Sequence, residues 1–241
     1  MPATIENKRV QAVFEKHADA YDAWYDKLRG QRLFRTEVAC LKAVLNPEMP
    51  RPWLEVGVGT GRFAVALGIE QGVDCAAAPL RMAEARGVCV SQGMAESLPY
   101  DDGLFGAVFM IVTLCFVDDP LMTVREAARV LRPGGSLVVG FVPGDSAWGQ
   151  AYLKQASEGH IFYTIASFFA VDDVRRFAGK AGLSETGVAG CMQEAPEQDV
   201  DHYAPPRSGV TNGMGFVAMR FTKGFASATD AIDTRKAEVT R

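Results

Sequence analysis

Hydrophobic residues in the first part of the chain recur at steps of three and four, which is the period of an amphipathic helix. Between residues 5 and 46 they form one apolar stripe, and Gly30 is expected to divide this segment into two helices. The Pro-containing link 46–52 ends the pattern. The stripe consists of Val10, Val13, Phe14, His17, Tyr21, Trp24, Tyr25 and Leu28.

From residue 53 onward, short apolar runs alternate with helical segments. Continuous apolar strands of this kind are typical of a parallel sheet that helices cover on both faces. The pattern predicts an α/β doubly wound, mostly parallel seven-stranded sheet with an antiparallel C-terminal strand pair and a helical N-terminal lid. Predicted strands cover 53–58, 72–74, 88–91, 105–112, 136–142, about 184–190 and about 215–223; predicted helices cover 62–68, about 80–86, 119–131 and 171–181.

A glycine-rich loop follows the first predicted strand. Gly57, Gly59 and Gly61 alternate at a strand–helix junction, where they let the backbone turn tightly and approach a ligand closely. The next helix offers unpaired N–H groups to an anion. A dinucleotide-binding G-x-G-x-x-G loop needs glycine at position 62, which is Arg62, so the loop departs from that pattern. Taken alone, it is also compatible with a bare tight turn.

Two carboxylates accompany the loop. Glu55 lies inside the end of the first strand, where a buried charge is costly unless it meets a donor or a cation, such as an aminoacyl ammonium. Asp74 ends the second strand, where a carboxylate can accept hydrogen bonds from ribose hydroxyls. A solvated loop aspartate is the alternative for Asp74 considered alone.

Five motifs in order along residues 10–142 resemble those of class I S-adenosylmethionine-dependent methyltransferases. Together they are highly specific, and they imply the cofactor S-adenosylmethionine. The motifs are the aromatic N-terminal segment from Phe14 to Tyr25, Glu55-x-Gly57-x-Gly59-x-Gly61, Gly72-Val73-Asp74, Gly93-Met94-Ala95-Glu96-x-Leu98-Pro99-Tyr100-x-Asp102, and Arg129-Val130-Leu131-Arg132-Pro133-Gly134-Gly135.

The resemblance implies roles for individual residues. The backbone from Gly57 to Gly61 would hold the methionine part, Asp74 the ribose and the amide of Ala95 the adenine ring, while Thr113 and Leu114 would lie near the sulfonium and Tyr21 would cover the methionine carboxylate. The implied cofactor-binding set is Tyr21, Glu55, Gly57, Val58, Gly59, Gly61, Asp74, Cys75, Met94, Ala95, Glu96, Thr113 and Leu114.

The chain departs from the family pattern at several positions. Met94 replaces an aspartate that accepts a hydrogen bond from the adenine amino group, although a methionine can pack against the ring. The helix after Asp74 has lost a serine N-cap, which is worth roughly 1 kcal/mol, and Pro79 is expected to start its first turn instead. Phe116 replaces a histidine that is common in the family.

The resemblance also implies a division of the chain. We expect one methyltransferase domain over residues 1–223, with a helical lid (1–50), a cofactor-binding half (51–142) and a substrate-side half (143–223), followed by a flexible tail (224–241). The stretches 143–170 and 193–214 read as irregular and are expected to border the substrate pocket. Core packing and a substrate site are equally compatible with the aromatic residues of the first stretch, Trp148, Tyr152, Phe162, Tyr163, Phe168 and Phe169.

No catalytic residue can be assigned from the sequence, because the cofactor supplies the reactivity in methyl transfer and a base is optional. His17, in the lid, could reach the methyl group, but packing between helices or a surface position is the favoured reading for it. His160 and His202 lie in the two irregular stretches and are favoured as solvated loop residues. No acidic, cysteine or histidine cluster has the spacing of a metal site, so none is predicted.

Composition narrows the partners. The net charge of −4 and the absence of basic clusters argue against nucleic acid, and no 18-residue apolar run predicts a membrane span. The N-terminus lacks the apolar core of a secretion signal, and the five scattered cysteines suit reduced thiols, so we expect a cytoplasmic protein, monomeric or homodimeric.

The sequence therefore predicts methyl transfer from S-adenosylmethionine to a small-molecule acceptor at O, N, S or C by in-line displacement. A non-catalytic S-adenosylmethionine-binding or regulatory protein is the main alternative. A nicotinamide-dependent oxidoreductase is disfavoured by Arg62 and the 95–96 region, and a protein-modifying methyltransferase would require a partner protein.

Overall fold

The computed structural model describes residues 5–198 and 202–225. In chain order the elements are α1 (Ile5–Trp24), α2 (Leu28–Val44), β1 (Trp53–Val56), α3 (Arg62–Leu67), β2 (Gln71–Asp74), α4 (Ala77–Ala85), β3 (Cys89–Gln92), β4 (Phe105–Ile111), α5 (Pro120–Val130), β5 (Leu131–Phe141), α6 (Ala147–Ser157), α7 (Val171–Lys180), β6 (Leu183–Cys191), β7 (Arg207–Ser208) and β8 (Phe216–Lys223). Single 3₁₀ turns lie at Leu114–Phe116 and Tyr163–Ile165.

The strands form one sheet in the order β3-β2-β1-β4-β5-β8-β6-β7. The first five are mutually parallel, while β8 pairs antiparallel with both β5 and β6. This confirms the predicted doubly wound sheet and its antiparallel C-terminal pair. An eighth strand, the two-residue β7, extends the edge beyond the seven predicted. It is too short for a period-2 pattern to reveal it.

The core lies on both faces of the central strands. All four residues of β1 and all seven of β4 are buried, which explains why these runs are continuously apolar rather than alternating. The exception is Glu55, a carboxylate in the middle of β1. The carboxyl ends of β1, β2 and β4 meet at one edge of the sheet, as in other open α/β sheets, where that edge is the usual ligand site.

The N-terminal helices are present, but their boundary differs from the prediction. The break falls at residues 25–27, and Gly30 lies inside α2. A Cβ at Gly30 would stand 2.1 Å from the carbonyl oxygen of Trp24. Glycine is therefore needed for the close approach of the end of α1 and not as a helix breaker. The helix α1 is itself kinked at His17 (φ −122°, ψ 20°).

The stretch 143–170 is not wholly irregular, because it contains α6. Ser146 caps this helix by accepting a hydrogen bond from the Gly149 amide at 3.0 Å. The glycine at position 149, in the first turn, makes this helix hard to predict from the sequence. A Cβ there would lie 2.2 Å from the carbonyl oxygen of Pro143, so the glycine permits a tight entry. Trp148 belongs to the core, with its indole N–H donating to the Glu194 carbonyl.

The predicted tail falls almost entirely outside the described residues, since only Gly224 and Phe225 of it are described. Within residues 5–198 and 202–225, no helix combines the length and the apolar character needed to cross a bilayer. All five cysteines are described and all are free, with Cys40 and Cys191 buried and Cys89 exposed.

Candidate functional site

The glycine loop lies between β1 and α3 with a left-handed backbone at each of its three glycines. The φ angles of Gly57, Gly59 and Gly61 are 71°, 52° and 82°. A Cβ on Gly57 would collide with Thr113, and one on Gly61 would collide with Ala83 of α4. A Cβ on Gly59 would meet nothing within 4 Å, because this residue faces an open cavity. Of the three glycines, only Gly59 would project a side chain into the open space of the cavity, whereas Gly57 and Gly61 are required by close packing.

Asp74 ties the end of β2 to this loop. One carboxylate oxygen accepts the Gly59 amide at 3.0 Å, and the other accepts the Ala76 amide at 2.9 Å. Burial raises the pKa of Asp74, while these amide hydrogen bonds lower it. Each carboxylate oxygen has a further lone pair, and the residue lines the cavity. It can accept hydrogen bonds from a ligand there.

Glu55 lies beneath the loop and is 1% exposed. It accepts a hydrogen bond from the Ala64 amide, but its Oε2 is buried without a partner. Burial, and then the charge of Asp74, raise the pKa of Glu55 well above its ordinary value. Glu55 itself does not line the cavity, but its chain neighbours Val56 and Gly57 do, and a buried carboxylate oxygen without a partner is a feature that a donor, directly or through water, would satisfy.

The cavity at this edge, which we call the glycine-loop cavity, brings together nine of the thirteen predicted residues. They are Tyr21, Gly57, Gly59, Asp74, Cys75, Met94, Ala95, Glu96 and Thr113. The other lining residues are mostly apolar and come from α1 and the ends of the parallel strands: Val10, Phe14, Val56, Val73, Gly93, Ile111, Val112, Phe116 and Val117.

The remaining four predicted residues support the loop from outside the cavity. Glu55 is described above, and Gly61 packs against α4. The side chain of Val58 lies over Gly72, where a Cβ would be 2.6 Å away. Leu114 turns away, because it follows Thr113 into the 3₁₀ turn, and it lines a separate apolar pocket with Phe141 and Phe169.

Thr113 links the ends of two neighbouring strands. Its hydroxyl lies 3.0 Å from the carbonyl oxygen of Val56 and 3.1 Å from that of Ile111. Its side chain also fills the space beside Gly57. On the opposite side, Glu96 accepts a hydrogen bond from the Asp118 amide at 3.0 Å. The Thr113 bonds thus tie the end of β4 to β1, and the Glu96 bond ties the segment after β3 to the segment after β4.

The helix α1 covers the glycine-loop cavity and is bonded to its rim. The side-chain amide of Gln11 donates to the Cys75 carbonyl at 2.7 Å. Glu15 accepts a hydrogen bond from the Ala78 amide at 2.9 Å in the first turn of α4. The predicted loss of a serine cap on α4 is thus compensated by a carboxylate from the lid. Position 15 lies too far along the chain for a capping pattern to reveal it.

A second cavity lies under the C-terminal half of α1, and we call it the aromatic chamber. It encloses about 260 Å³ between α1, α2, α6 and the ends of β4 and β5. Tyr152 and Tyr163 stack with ring centroids 4.4 Å apart, and His160 stacks on Tyr163 at 4.1 Å. The lining residues are Ala20, Tyr21, Trp24, Tyr25, Lys27, Glu37, Val112, Phe116, Val142, Tyr152, His160, Phe162 and Tyr163.

Three residues line both cavities: Tyr21, Val112 and Phe116. The Tyr21 and Tyr25 hydroxyls lie 3.2 Å apart, and burial raises the pKa of Tyr21. Val112 is a β-branched residue with φ 52°, a left-handed conformation that is costly for such a side chain. The two cavities therefore adjoin at these three side chains.

The stretch 143–170 lines the chamber through Tyr152, His160, Phe162 and Tyr163, whereas the described residues of 193–214 do not reach it. His17 lines neither cavity and instead approaches Phe162 edge-on at 6.4 Å. His202 is exposed outside both. His160 is mostly exposed at the edge of the chamber, and its partial burial there lowers its pKa.

Glu37 is the one acidic residue among the described residues that line the chamber, and the sequence analysis does not predict it. Glu37 lies on the buried face of α2 with Leu33, Cys40 and Leu41, and it is 8% exposed. A glutamate at helical spacing among apolar residues was a signal that the sequence did contain. Among the described residues, no cluster of three or more His, Cys, Asp or Glu side chains could hold a metal ion.

Comparison with known proteins places these features in a family. The model of the methyltransferase domain family matches residues 54–139. An uncharacterized protein of Mycobacterium tuberculosis is 37% identical over 204 residues, which cover 85% of this chain and 71% of that protein.

Two solved structures extend the comparison. A Thermotoga maritima protein described as a SAM-dependent methyltransferase, possible histamine N-methyltransferase, is 35% identical with a TM-score of 0.80, covering 89% of this chain and 99% of its own. The geranyl diphosphate C-methyltransferase of Streptomyces coelicolor, solved with Mg²⁺, geranyl diphosphate and S-adenosylhomocysteine, has a TM-score of 0.64 over 92% of this chain and 100% of its own. At 16% identity, it shares the fold alone.

Proposed function

The chain belongs to the class I S-adenosylmethionine-dependent methyltransferases, and on that premise we propose that it methylates a small-molecule acceptor bound in the aromatic chamber. The observation that carries this proposal is that the glycine-loop cavity adjoins a second cavity, because Tyr21, Val112 and Phe116 line both. The chamber volume of about 260 Å³ lies near the lower end of small-ligand pockets, roughly 300–1,000 Å³.

The residues of the glycine-loop cavity fit the methyl donor. Asp74 keeps free acceptor capacity for ribose hydroxyls, and the open side of Gly59 leaves room for a ligand against the backbone. The unpartnered Oε2 of Glu55 suits the aminoacyl end, directly or through water. The donor supplies an activated methyl group, and the chain's own residues bind, orient and exclude water.

The residues of the chamber would position the acceptor. The stacked Tyr152, Tyr163 and His160 form one wall, and α1 closes the chamber with Trp24 and Tyr25. Binding both reactants side by side holds them in a fixed orientation, which converts a bimolecular displacement into an effectively unimolecular step. A flat macromolecular surface would not fit a covered chamber of this size.

The experiment is a labelling assay with fractionated extract. The purified chain is incubated with S-adenosylmethionine carrying a labelled methyl group and with cell extract separated into small molecules and macromolecules. Label in a compound of the small-molecule fraction is expected. Label confined to protein or nucleic acid would contradict the small-molecule acceptor, and binding of S-adenosylhomocysteine without any transfer would favour a regulatory binding protein.

A further inference from the structure

Glu37 is a buried acid without a partner in the described part of the chain. The residue is 8% exposed, and it lines the aromatic chamber. Within residues 5–198 and 202–225, no Lys or Arg forms an ion pair with the Glu37 carboxylate, and no group donates a hydrogen bond to it. The chamber's lysine, Lys27, is solvent-exposed and makes no ion pair with Glu37.

Such a carboxylate is expensive to keep. Removing an ionised acid from water costs several kcal/mol unless a cation or hydrogen-bond donors compensate for it. Burial alone raises the pKa of Glu37 to about 7. An isolated acid with a perturbed pKa inside a cavity is more typical of a ligand-binding group than of a structural one.

The walls around Glu37 favour a cation as the missing partner. Trp24, Tyr25, Tyr152, Phe162 and Tyr163 turn aromatic rings toward the same space. The faces of such rings attract ammonium groups and at the same time pack against apolar or aromatic carbon. An anionic ligand would meet the repulsion of the carboxylate, and a neutral one would leave its charge unpaired.

We propose that the acceptor is a small primary or secondary amine with an apolar or aromatic body, and that Glu37 is the residue that recognises its nitrogen. The inference rests on the proposed function and deepens it. The amine enters as an ammonium ion and pairs with the Glu37 carboxylate. A proton then passes from the nitrogen to a carboxylate oxygen, which leaves a neutral amine with a free lone pair beside a neutral acid.

Calorimetry on the full chain saturated with S-adenosylhomocysteine tests this. The probes are 2-phenylethylamine, tyramine, tryptamine and histamine, with 2-phenylethanol, tyrosol and tryptophol as neutral counterparts of the first three. At pH 8 we expect at least one of the first three amines to bind ten-fold or more tightly than its alcohol. Glu37→Gln should abolish that preference and leave S-adenosylhomocysteine affinity within about two-fold. Glu48→Gln, an exposed glutamate, is the matched control.

Three outcomes separate the hypotheses. If no amine is preferred over its alcohol, or if Glu37→Gln keeps the preference, the recognition role of Glu37 is wrong. If the unmodified chain fails to bind S-adenosylhomocysteine, the proposed function itself fails. If Glu37→Gln loses S-adenosylhomocysteine as well, Glu37→Asp decides, because it keeps the charge and must retain a weakened amine preference.

Discussion

The guanidinium of Arg62 grips the carboxylate of Asp22 through two hydrogen bonds of 2.8 and 2.7 Å. Asp22 belongs to the covering helix α1, and Arg62 is the first residue of α3, directly after the glycine loop. Arg86 donates a third hydrogen bond to the same carboxylate at 2.8 Å. Arg62 occupies the position where a dinucleotide-binding loop needs glycine, and here it connects the covering helix α1 to the end of the glycine loop.

Asp22→Asn should loosen this anchor. Because two arginines lose their shared anion, we expect the free energy of unfolding to fall by about 1–3 kcal/mol and S-adenosylhomocysteine affinity to fall with it. Urea denaturation and calorimetry measure the two effects. Asp19→Asn, an exposed aspartate on the same helix, is the control and should change neither. Equal behaviour of the two variants would show that the ion pair does not hold the lid.

The same pair has a defined pH dependence. Burial would raise the pKa of Asp22, but hydrogen bonds from Arg62 and Arg86 outweigh it and hold that pKa well below the ordinary range. A carboxylate with a lowered folded pKa contributes stability that is complete above about pH 4 and is lost as the pH falls further. The difference between Asp22→Asn and the unmodified chain should therefore stay constant from pH 8 to 5 and shrink below 4.

Asp74→Ala should weaken the binding of S-adenosylhomocysteine by about 1–3 kcal/mol, which is the cost of leaving polar partners without an acceptor. Part of that loss is indirect, because the Gly59 and Ala76 amides also lose their acceptor. Asp101→Ala, at an exposed turn, is the matched control. Unchanged affinity in Asp74→Ala would contradict its assignment to the ribose.

Gly59→Ala should block the glycine-loop cavity with a single methyl group. Gly87 makes a close control, because it also has a positive φ (89°) and open space around its Cβ position, but it lies outside the cavity. Both variants should lose about 1 kcal/mol of stability from backbone strain. Only Gly59→Ala should lower S-adenosylhomocysteine affinity, by ten-fold or more, and a similar loss in Gly87→Ala would trace the effect to strain.

Val112→Gly should be more stable than Val112→Ala, by about 1 kcal/mol. The usual order is the reverse, since glycine costs conformational entropy. At φ 52°, however, alanine keeps the left-handed strain while giving up the valine contacts, and glycine removes that strain. Thermal or urea unfolding of the two variants decides, and the ordinary order would mean that Val112 is not strained.

Glu37 should make stability fall with rising pH. Its folded pKa of about 7 exceeds the unfolded value of about 4.3, so its contribution is complete below pH 4.3 and is lost as the pH rises through 7. Glu37→Gln should gain on the order of 1–3 kcal/mol over the unmodified chain at pH 8, and nothing at pH 4. Urea denaturation of both proteins at pH 4, 6 and 8 measures this. A difference in their free energies of unfolding that is the same at all three pH values would contradict it.

Burial lowers the pKa of His160, but this histidine is present in both proteins and cancels in the difference. The tyrosines near Glu37 stay neutral there, because burial raises the pKa of each of them above its ordinary value. Cys191 also stays neutral, because its hydrogen bond with Cys40 and then burial raise its pKa. The titratable and charged groups facing Glu37 are Tyr21, Tyr25, Lys27, Tyr152, His160, Tyr163, Cys191 and Tyr203.

The features that pattern reading found are local ones. The loop 57–61 directly follows β1 and Asp74 is the last residue of β2, so their positions at the carboxyl ends of neighbouring parallel strands alone predict a shared edge of the sheet. The pairs that it missed join distant parts of the chain. Asp22 meets Arg62 across 40 residues and Glu15 meets Ala78 across 63. Such pairings follow only from the packing of α1.

Gly30 and Gly149 illustrate a second limit. Gly30 is expected from the sequence to break a helix, and Gly149 falls in a stretch expected to be irregular. Each instead lies in a helix and is small because another backbone passes within 2.2 Å of its Cβ position. Glycine permits unusual backbone angles and close contact alike, and a sequence does not distinguish the two uses.

The helix α1 crosses the wall between the two cavities, with Val10 and Phe14 over one, Trp24 over the other, and its kink at His17 in between. One helix thus covers both cavities. A movement of α1 that opens one cavity would also open the other, so the two ligands could not exchange independently of each other. Donor and acceptor would then lie under the same helix in one ternary complex.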